Sequence, residues 1–379
     1  MIRAGHLDGA PMRTVGPPVV RGSTVLMPDA ASLFSDDLVS YGRGGLTTQS
    51  ALKSALCELE GAAGCQLFPS GIAAITGPLL AILKAGDQLL VSDCAYTPTR
   101  RFCDQVLKRY GVEVAYFPPR ATPAEIMAMG GPNLAAILME SPGSLTFELT
   151  DVAGVAALAR ERGVITLVDN TWAAGVLFKP LAHGVDISIQ ALTKYVGGHS
   201  DVFMGSACAG TPEIARKLDD GVAQLGWSVS PDDAYQMLRG LRTLPTRLAK
   251  HGASGLEMAR WLQAQPQVAQ VLHPALPDSP DHGLWRRDYS GACGLFGIVL
   301  RPASDAAVNT FLDSLTLFGL GFSWGGFESL AIPSGNQLGK RRHHAALPGP
   351  VVRIHIGLED TADLKADLEQ GLKVFDAAR

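Results

Sequence analysis

The sequence predicts an α/β protein: a large domain built on a mainly parallel sheet, followed by a smaller α/β domain at the C-terminal end. Three observations carry this. From about residue 47, short apolar runs alternate with longer stretches of helical period. Those runs are apolar throughout, as strands covered on both faces are. And 379 residues exceed what one hydrophobic core serves well, so a second unit is expected.

The elements follow in order. Residues 1–45 hold Gly, Pro and Ser with little periodicity and read as an extended arm. Helical spacing covers 51–59. Residues 67–68 suit a short strand before the turn Pro69-Ser70-Gly71, and 72–83 form an apolar helix. Strands are expected at 88–92, 112–117, 134–140, 164–169 and 186–190, with helices at 100–110 and 152–162 between them. Residues 212–265 look helical, interrupted at Arg239-Gly240-Leu241-Arg242-Thr243-Leu244-Pro245. A further strand-and-helix region covers 292–300, 306–315, 351–356 and a terminal helix at 362–377. The expected division is an arm at 1–45, a large domain at 46–240 and a small domain at 241–379.

Bulk composition excludes several functions. Net charge is −4, from 32 basic and 36 acidic residues, without a basic run long enough for a nucleic-acid surface. Lys340-Arg341-Arg342 is short and reads as a solvated loop. No segment offers the roughly 18 uninterrupted apolar residues of a membrane span, and Met1-Ile2-Arg3-Ala4-Gly5-His6 lacks an apolar signal core. A cytoplasmic location is the expectation. The six cysteines have no C-x-x-C spacing, so reduced core thiols are expected and a metal site is not.

The chemistry concentrates on two residues. Asp169 ends the run Val164-Ile165-Thr166-Leu167-Val168, and Lys194 follows 25 residues later in Ala191-Leu192-Thr193-Lys194. In open α/β sheets, ligands bind beyond the carboxyl ends of the strands, which is where both fall. A strand-end Asp can cap a turn, and a lone Lys is commonly solvated. Together they suit pyridoxal 5'-phosphate (PLP): Lys194 as covalent anchor and proton carrier, Asp169 as the partner keeping the ring nitrogen protonated. Ser70 caps the helix opening at Gly71-Ile72, whose free N–H groups and dipole suit a phosphate. Tyr96, in a loop at the same sheet end, can stack on a flat ring. Arg43, within Tyr41-Gly42-Arg43, presents a fork of donors matched to phosphate. Arg353 alternates with apolar residues on an expected strand and needs a partner: a substrate carboxylate or a structural Asp or Glu.

Over about residues 5–375 the sequence resembles the Cys/Met-metabolism family of PLP enzymes. The resemblance rests on Tyr41-Gly42-Arg43, Glu140-Ser141-Pro142-Gly143-Ser144, Asp169-Asn170-Thr171-Trp172, Thr193-Lys194-Tyr195 with Gly198-His199-Ser200-Asp201, Ser323-Trp324-Gly325-Gly326-Phe327-Glu328, and Arg353-Ile354-His355-Ile356-Gly357. It implies the fold type I architecture of PLP-dependent transferases, like that of aspartate aminotransferase. It implies a homotetramer, a dimer of dimers with shared active sites. Gly71, Ile72 and Thr193 would hold the phosphate, with Tyr41 and Arg43 reaching a neighbouring subunit's phosphate. Tyr96 would stack on the ring, Arg353 would bind the substrate carboxylate, Ser323 and Trp324 would line the pocket, and Tyr235 would stand near it.

Three positions depart from the commoner pattern or discriminate within it. Ala191 lacks the hydroxyl many relatives carry. Phe322 stands where γ-acting members often have Glu, and Trp324 where they commonly have Leu. The resemblance therefore implies β-cleavage: L-cystathionine to homocysteine, pyruvate and ammonia. The alternatives are a cysteine or cystine desulfhydrase, a γ-lyase, or, in a different class, a PLP-binding regulatory protein.

Overall fold

A computed structural model describes residues 14–35, 38–343 and 346–379. The rest of the expected arm, residues 1–13 and 36–37, lies outside the described residues. What is described of the arm is mostly extended, with tight turns at Ala31–Phe34 and Gly42–Gly44.

The large sheet has seven strands: β1 (Gly64–Phe68), β2 (Gln88–Ser92), β3 (Glu113–Phe117), β4 (Leu134–Glu140), β5 (Ile165–Asp169), β6 (Ile187–Gln190) and β7 (Gly205–Ala209), in the spatial order β1-β7-β6-β5-β4-β2-β3. Only β7 runs against the others. Sequence reading missed β7 because Gly-Ser-Ala-Cys-Ala has small side chains and little β propensity; pairing on both edges with β1 and β6 makes it a strand. Every residue of β2, β6 and β7 is buried.

Helices cover both faces. α1 (Thr47–Glu60), α4 (Pro123–Ala128) and α5 (Val152–Glu161) contribute Leu52, Leu56, Ile126 and Val155 to one core. On the other face α2 (Gly71–Ile82), α3 (Thr97–Phe102) and α6 (Pro212–Gln224) bring buried residues such as Ala74, Leu79 and Leu218. The helix expected at 100–110 keeps its place but changes winding, passing from α3 through a π turn at Cys103–Leu107 to a tighter turn at Lys108–Tyr110.

The break expected at 239–245 is not there. α7 (Pro231–Gln263) runs unbroken for 33 residues through Pro245. Proline removes one intrahelical hydrogen bond, and here the neighbouring Gly240 carbonyl is met by Arg247 Nη2 at 2.8 Å and Thr243 Oγ1 at 3.2 Å. α7 therefore spans the expected boundary near 240, its first half packed on α1 and its second on the small sheet.

That second sheet is antiparallel, in the order β10-β11-β9-β8. Its strands are β8 (Val268–Leu272), β9 (Leu295–Leu300), β10 (Leu330–Pro333) and β11 (Val351–His355), joined through α8 (His282–Asp288), α9 (Asp305–Asp313), α10 (Gly335–Leu338) and the terminal α11 (Thr361–Ala378). Phe296, Ile298 and Leu300 alternate onto the core shared with α9 and α11. Trp172 of the large domain donates its indole N–H to the Leu295 carbonyl at 3.0 Å.

In Lys340-Arg341-Arg342 the outer two residues are exposed as expected, but the middle one is not. Arg341 is buried: its Nη2 donates to Glu148 Oε1 at 3.0 Å and its Nε lies 3.9 Å from Asp93 Oδ2. Asp93 also pairs with Arg100 at 2.5 Å and accepts the His343 N–H at 2.6 Å. The segment after α10 is thus a strap from the small domain onto the loop after β2. Its charges are legible only in three dimensions, because their partners lie 190 or more positions away in the chain. All six cysteines are free thiols, five of them buried. No helix among the described residues is long and apolar enough to cross a membrane.

Candidate active site

The strand order brings the predicted residues together. β4, β5 and β6 are consecutive parallel neighbours, so Glu140, Asp169 and the turn after Gln190 share one edge. β2 and β1 point the same way and deliver Tyr96 and Ser70-Gly71-Ile72 to that edge. The residues concerned, Gly71, Ile72, Glu140, Asp169, Thr193, Lys194, Ser323, Trp324 and Arg353, are partly exposed, among largely buried neighbours.

Lys194 sits on a turn after β6 that is tied from both sides. Its N–H donates to the Ala191 carbonyl at 3.1 Å, and the Gly198 N–H donates to its carbonyl at 2.8 Å. The buried Arg247 guanidinium of α7 donates to the carbonyls of Tyr195 at 2.7 Å and Val196 at 3.2 Å. The Lys194 amine donates to Ser323 Oγ at 2.7 Å and lies 5.4 Å from the centre of the Trp324 ring. Burial and the nearby Arg353 cation lower its pKa to about 8, against an opposing pull from Asp169. An amine so tuned is neutral often enough to attack a carbonyl.

Asp169 accepts the Thr171 N–H at 3.0 Å and the Thr171 hydroxyl at 2.5 Å, both on Oδ1, leaving Oδ2 for another donor. Burial raises its pKa, while Thr171 and Lys194 pull it back. Arg353 on β11 donates to the Ser323 carbonyl at 2.8 Å. No carboxylate among the described residues lies within ion-pair distance of it, so the structural-partner reading does not hold, and burial lowers its pKa to about 10. Ser323 thus bridges the amine and the guanidinium. It does so at φ 106°, a conformation that costs a non-glycine residue energy and that clusters at functional sites. Tyr96 is 43% exposed, and its phenol feels Glu140, Arg353 and Asp169.

Residues 1–373 match the family described as Cys/Met metabolism PLP-dependent enzyme. The chain belongs to that family. It is similar to a putative cystathionine beta-lyase of Rhizobium johnstonii, 48% identical over 369 residues that cover 96% of this chain and 92% of the relative. It is 41% identical to a cystathionine beta-lyase of Bordetella avium over 382 residues, 97% of this chain and 96% of the relative. Among solved structures it is similar to the cystathionine gamma synthase of Xanthomonas oryzae pv. oryzae in complex with cystathionine, with a TM-score of 0.91 and 32% identity, covering 100% of this chain and 98% of that one.

The cofactor of the Cys/Met-metabolism PLP family fits the residues present. The N–H groups of Gly71 and Ile72 head α2, where no intrahelical carbonyl can meet them. The backbone around them is packed so closely that only glycine serves. A Cβ on Gly71 would stand 2.5 Å from the Ala191 Cβ, and one on Gly205 2.5 Å from the Ser70 carbonyl oxygen. Ala191, which gives up a hydroxyl, is therefore the wall against which Gly71 turns. Thr193 is engaged with the backbone: its hydroxyl donates to the Met204 carbonyl and accepts the Met204 N–H, each at 3.1 Å.

Three predicted residues do not gather with the rest. Tyr41 and Arg43 lie exposed on the arm, the guanidinium 5.5 Å from the Tyr41 ring centre. Tyr235, on α7, stands by the arm, where a Cβ on Gly16 would lie 3.7 Å from its hydroxyl. Sequence reading gave no role to Glu140, although it ends a predicted strand as Asp169 does; that shared position was the available signal.

Proposed function

We propose that the chain is a PLP-dependent carbon–sulfur β-lyase that cleaves L-cystathionine to homocysteine and aminoacrylate, which takes up one water to give pyruvate and ammonia. The observation that carries this is the meeting of Lys194, Asp169, Tyr96 and Arg353 at one strand edge, in a chain 41% to 48% identical to cystathionine beta-lyases over nearly its whole length.

Bound there, PLP supplies an electron sink for negative charge at the substrate α-carbon. The residues do the rest. Arg353 takes the α-carboxylate as a charge-assisted pair, in place of its contact with Ser323. Asp169, whose Oδ1 takes both Thr171 donors, would hold a proton on the ring nitrogen through Oδ2. Gly71 and Ile72 would hold the phosphate, with Tyr41 and Arg43 contributed by a neighbouring subunit; Thr193 would join them by giving up its hydroxyl's bond to the Met204 carbonyl, and Tyr96 would stack on the ring. The Lys194 amine, when free, would remove the α-proton. When the Cβ–S bond breaks, the departing thiolate takes a proton from Lys194 or Tyr96. Ser323 positions the amine, and Trp324 forms the wall beside it.

Cleavage at the β-carbon rather than the γ-carbon is supported by position 322. Phe322 is exposed and has no acidic group to serve a second proton transfer. A panel of cystathionine, cystine, cysteine and methionine, with the keto acids identified, tests this reading. Pyruvate from cystathionine is expected; 2-oxobutyrate would make the protein a γ-lyase.

The proposed assembly is a homotetramer of two dimers, each with shared sites. Supporting it are apolar arm residues left uncovered by their own chain: Val15, Leu26 and Phe34 are 89%, 91% and 90% exposed.

A further inference from the structure

Glu140 is a second carboxylate at the same strand edge. β4 and β5 pair in parallel register with Glu140 opposite Asp169, so the two side chains leave the sheet on the same face, with strands about 5 Å apart. Two like charges that close, away from bulk water, are not both sustained. Their surroundings decide which one gives way. Asp169 takes both Thr171 donors on one oxygen and faces the Lys194 cation. Glu140 accepts the Tyr96 N–H on Oε2 at 2.6 Å and is hydrogen-bonded through Oε1 to the Ser144 hydroxyl.

We propose that Glu140 is a positioning residue that works as a neutral carboxylic acid: it holds the Tyr96 and Ser144 loops in place and leaves Asp169 as the charged member of the carboxylate pair. The Tyr96 N–H occupies Oε2 as a donor, so the acid proton belongs on Oε1, donated to Ser144 Oγ. The groups facing Glu140 come from four directions: Asp169 from β5, the Tyr96 phenol and the Cys94 thiol from the loop after β2, Ser144 from its own loop, and Arg341 from the strap. The Ser144 and Tyr96 hydrogen bonds and the Arg341 charge favour the charged form, but Arg341 is already paired with Glu148, and burial and Asp169 outweigh them. Burial and Asp169 together raise the Glu140 pKa to about 8. The inference rests on the proposed ring partnership of Asp169 and adds a division of labour between two acids.

Infrared difference spectra of the holoenzyme against E140Q read this proton directly. A carboxylic-acid C=O band is expected in wild type at about pH 6, absent from E140Q and fading as the pH rises through about 8. Its absence at about pH 6 would overturn the proposal. A second readout is the cofactor's absorbance titration. Glutamine keeps an acceptor for Tyr96 and a partner for Ser144, so E140Q should hold the wild-type midpoint. Glu140→Ala loses both contacts and should bind cofactor about tenfold more weakly. E140Q behaving as E140A would mean that charge, not shape, is needed, and would also sink the idea. The band requires no turnover. A wild-type protein that shows the band but does not cleave cystathionine would defeat the proposed activity and leave Glu140 standing; the reverse result would do the opposite.

Discussion

The strand edge and the arm supply the proposed site in opposite ways. At the edge, the polar groups are held by their own chain: Asp169 by Thr171, the Lys194 turn by Arg247, Ser323 by the amine on one side and Arg353 on the other. Among its described residues, the arm is anchored to its own chain by contacts such as the Arg21–Asp232 pair and the Val20 N–H to Thr48 Oγ1 at 2.8 Å. It leaves Tyr41 and Arg43 exposed. The proposed shared site should therefore respond differently to damage on its two sides: chemistry should fail at the edge, and assembly and cofactor retention at the arm.

The largest effect belongs to the edge. Lys194→Ala should stay folded by circular dichroism yet lose turnover by about four orders of magnitude or more, with cofactor removable by dialysis. Asp169→Asn should lower kcat by about a hundred- to a thousandfold while cofactor remains bound, because the ring nitrogen loses its anion. On the arm, a Tyr41→Ala/Arg43→Ala double variant should weaken cofactor binding by about ten- to a hundredfold. Reassembling it with K194A chains should restore activity, because a mixed dimer contains one site with no lesion. No recovery on mixing would show that the arm serves its own chain, and the contrast between the two regions would fall.

Arg353→Met tests the edge from the substrate side. KM should rise about ten- to a hundredfold with kcat less affected. The smallest effect is a shift in pH. With Lys194 as the proposed anchor, cofactor uptake by the apoprotein needs its neutral amine, so the rate should climb through about pH 8 and level off above. Arg353 lowers the lysine pKa, so its removal must raise it, and R353M should move the midpoint to higher pH. A midpoint that stays put would separate the two side chains electrically.

The sequence made the edge legible and the interlocks illegible, for one physical reason. Apolar runs report strands buried on both faces, and residues at their ends fall at the ligand-binding edge whatever the strand order, so Asp169, Lys194 and Tyr96 could be nominated. What depends on strand order could not be. Glu140 gains meaning only because β4 lies beside β5. Arg341 looked solvated until Asp93 and Glu148 were placed against it. β7 and the unbroken α7 were missed where weak propensity or a proline was overruled by packing on neighbouring elements.

The unbroken α7 has a mechanical consequence. Its 33 residues make a rod of about 50 Å. Asp232 at its start grips the arm, Arg247 at its middle clamps the turn that bears the lysine, and Met258, Ala259 and Leu262 near its end are set in the small domain's core. Tilting that beam would displace three parts at once, so in the proposed assembly a push on the arm would be carried along one helix to the footing of Lys194 and to the core of the small domain.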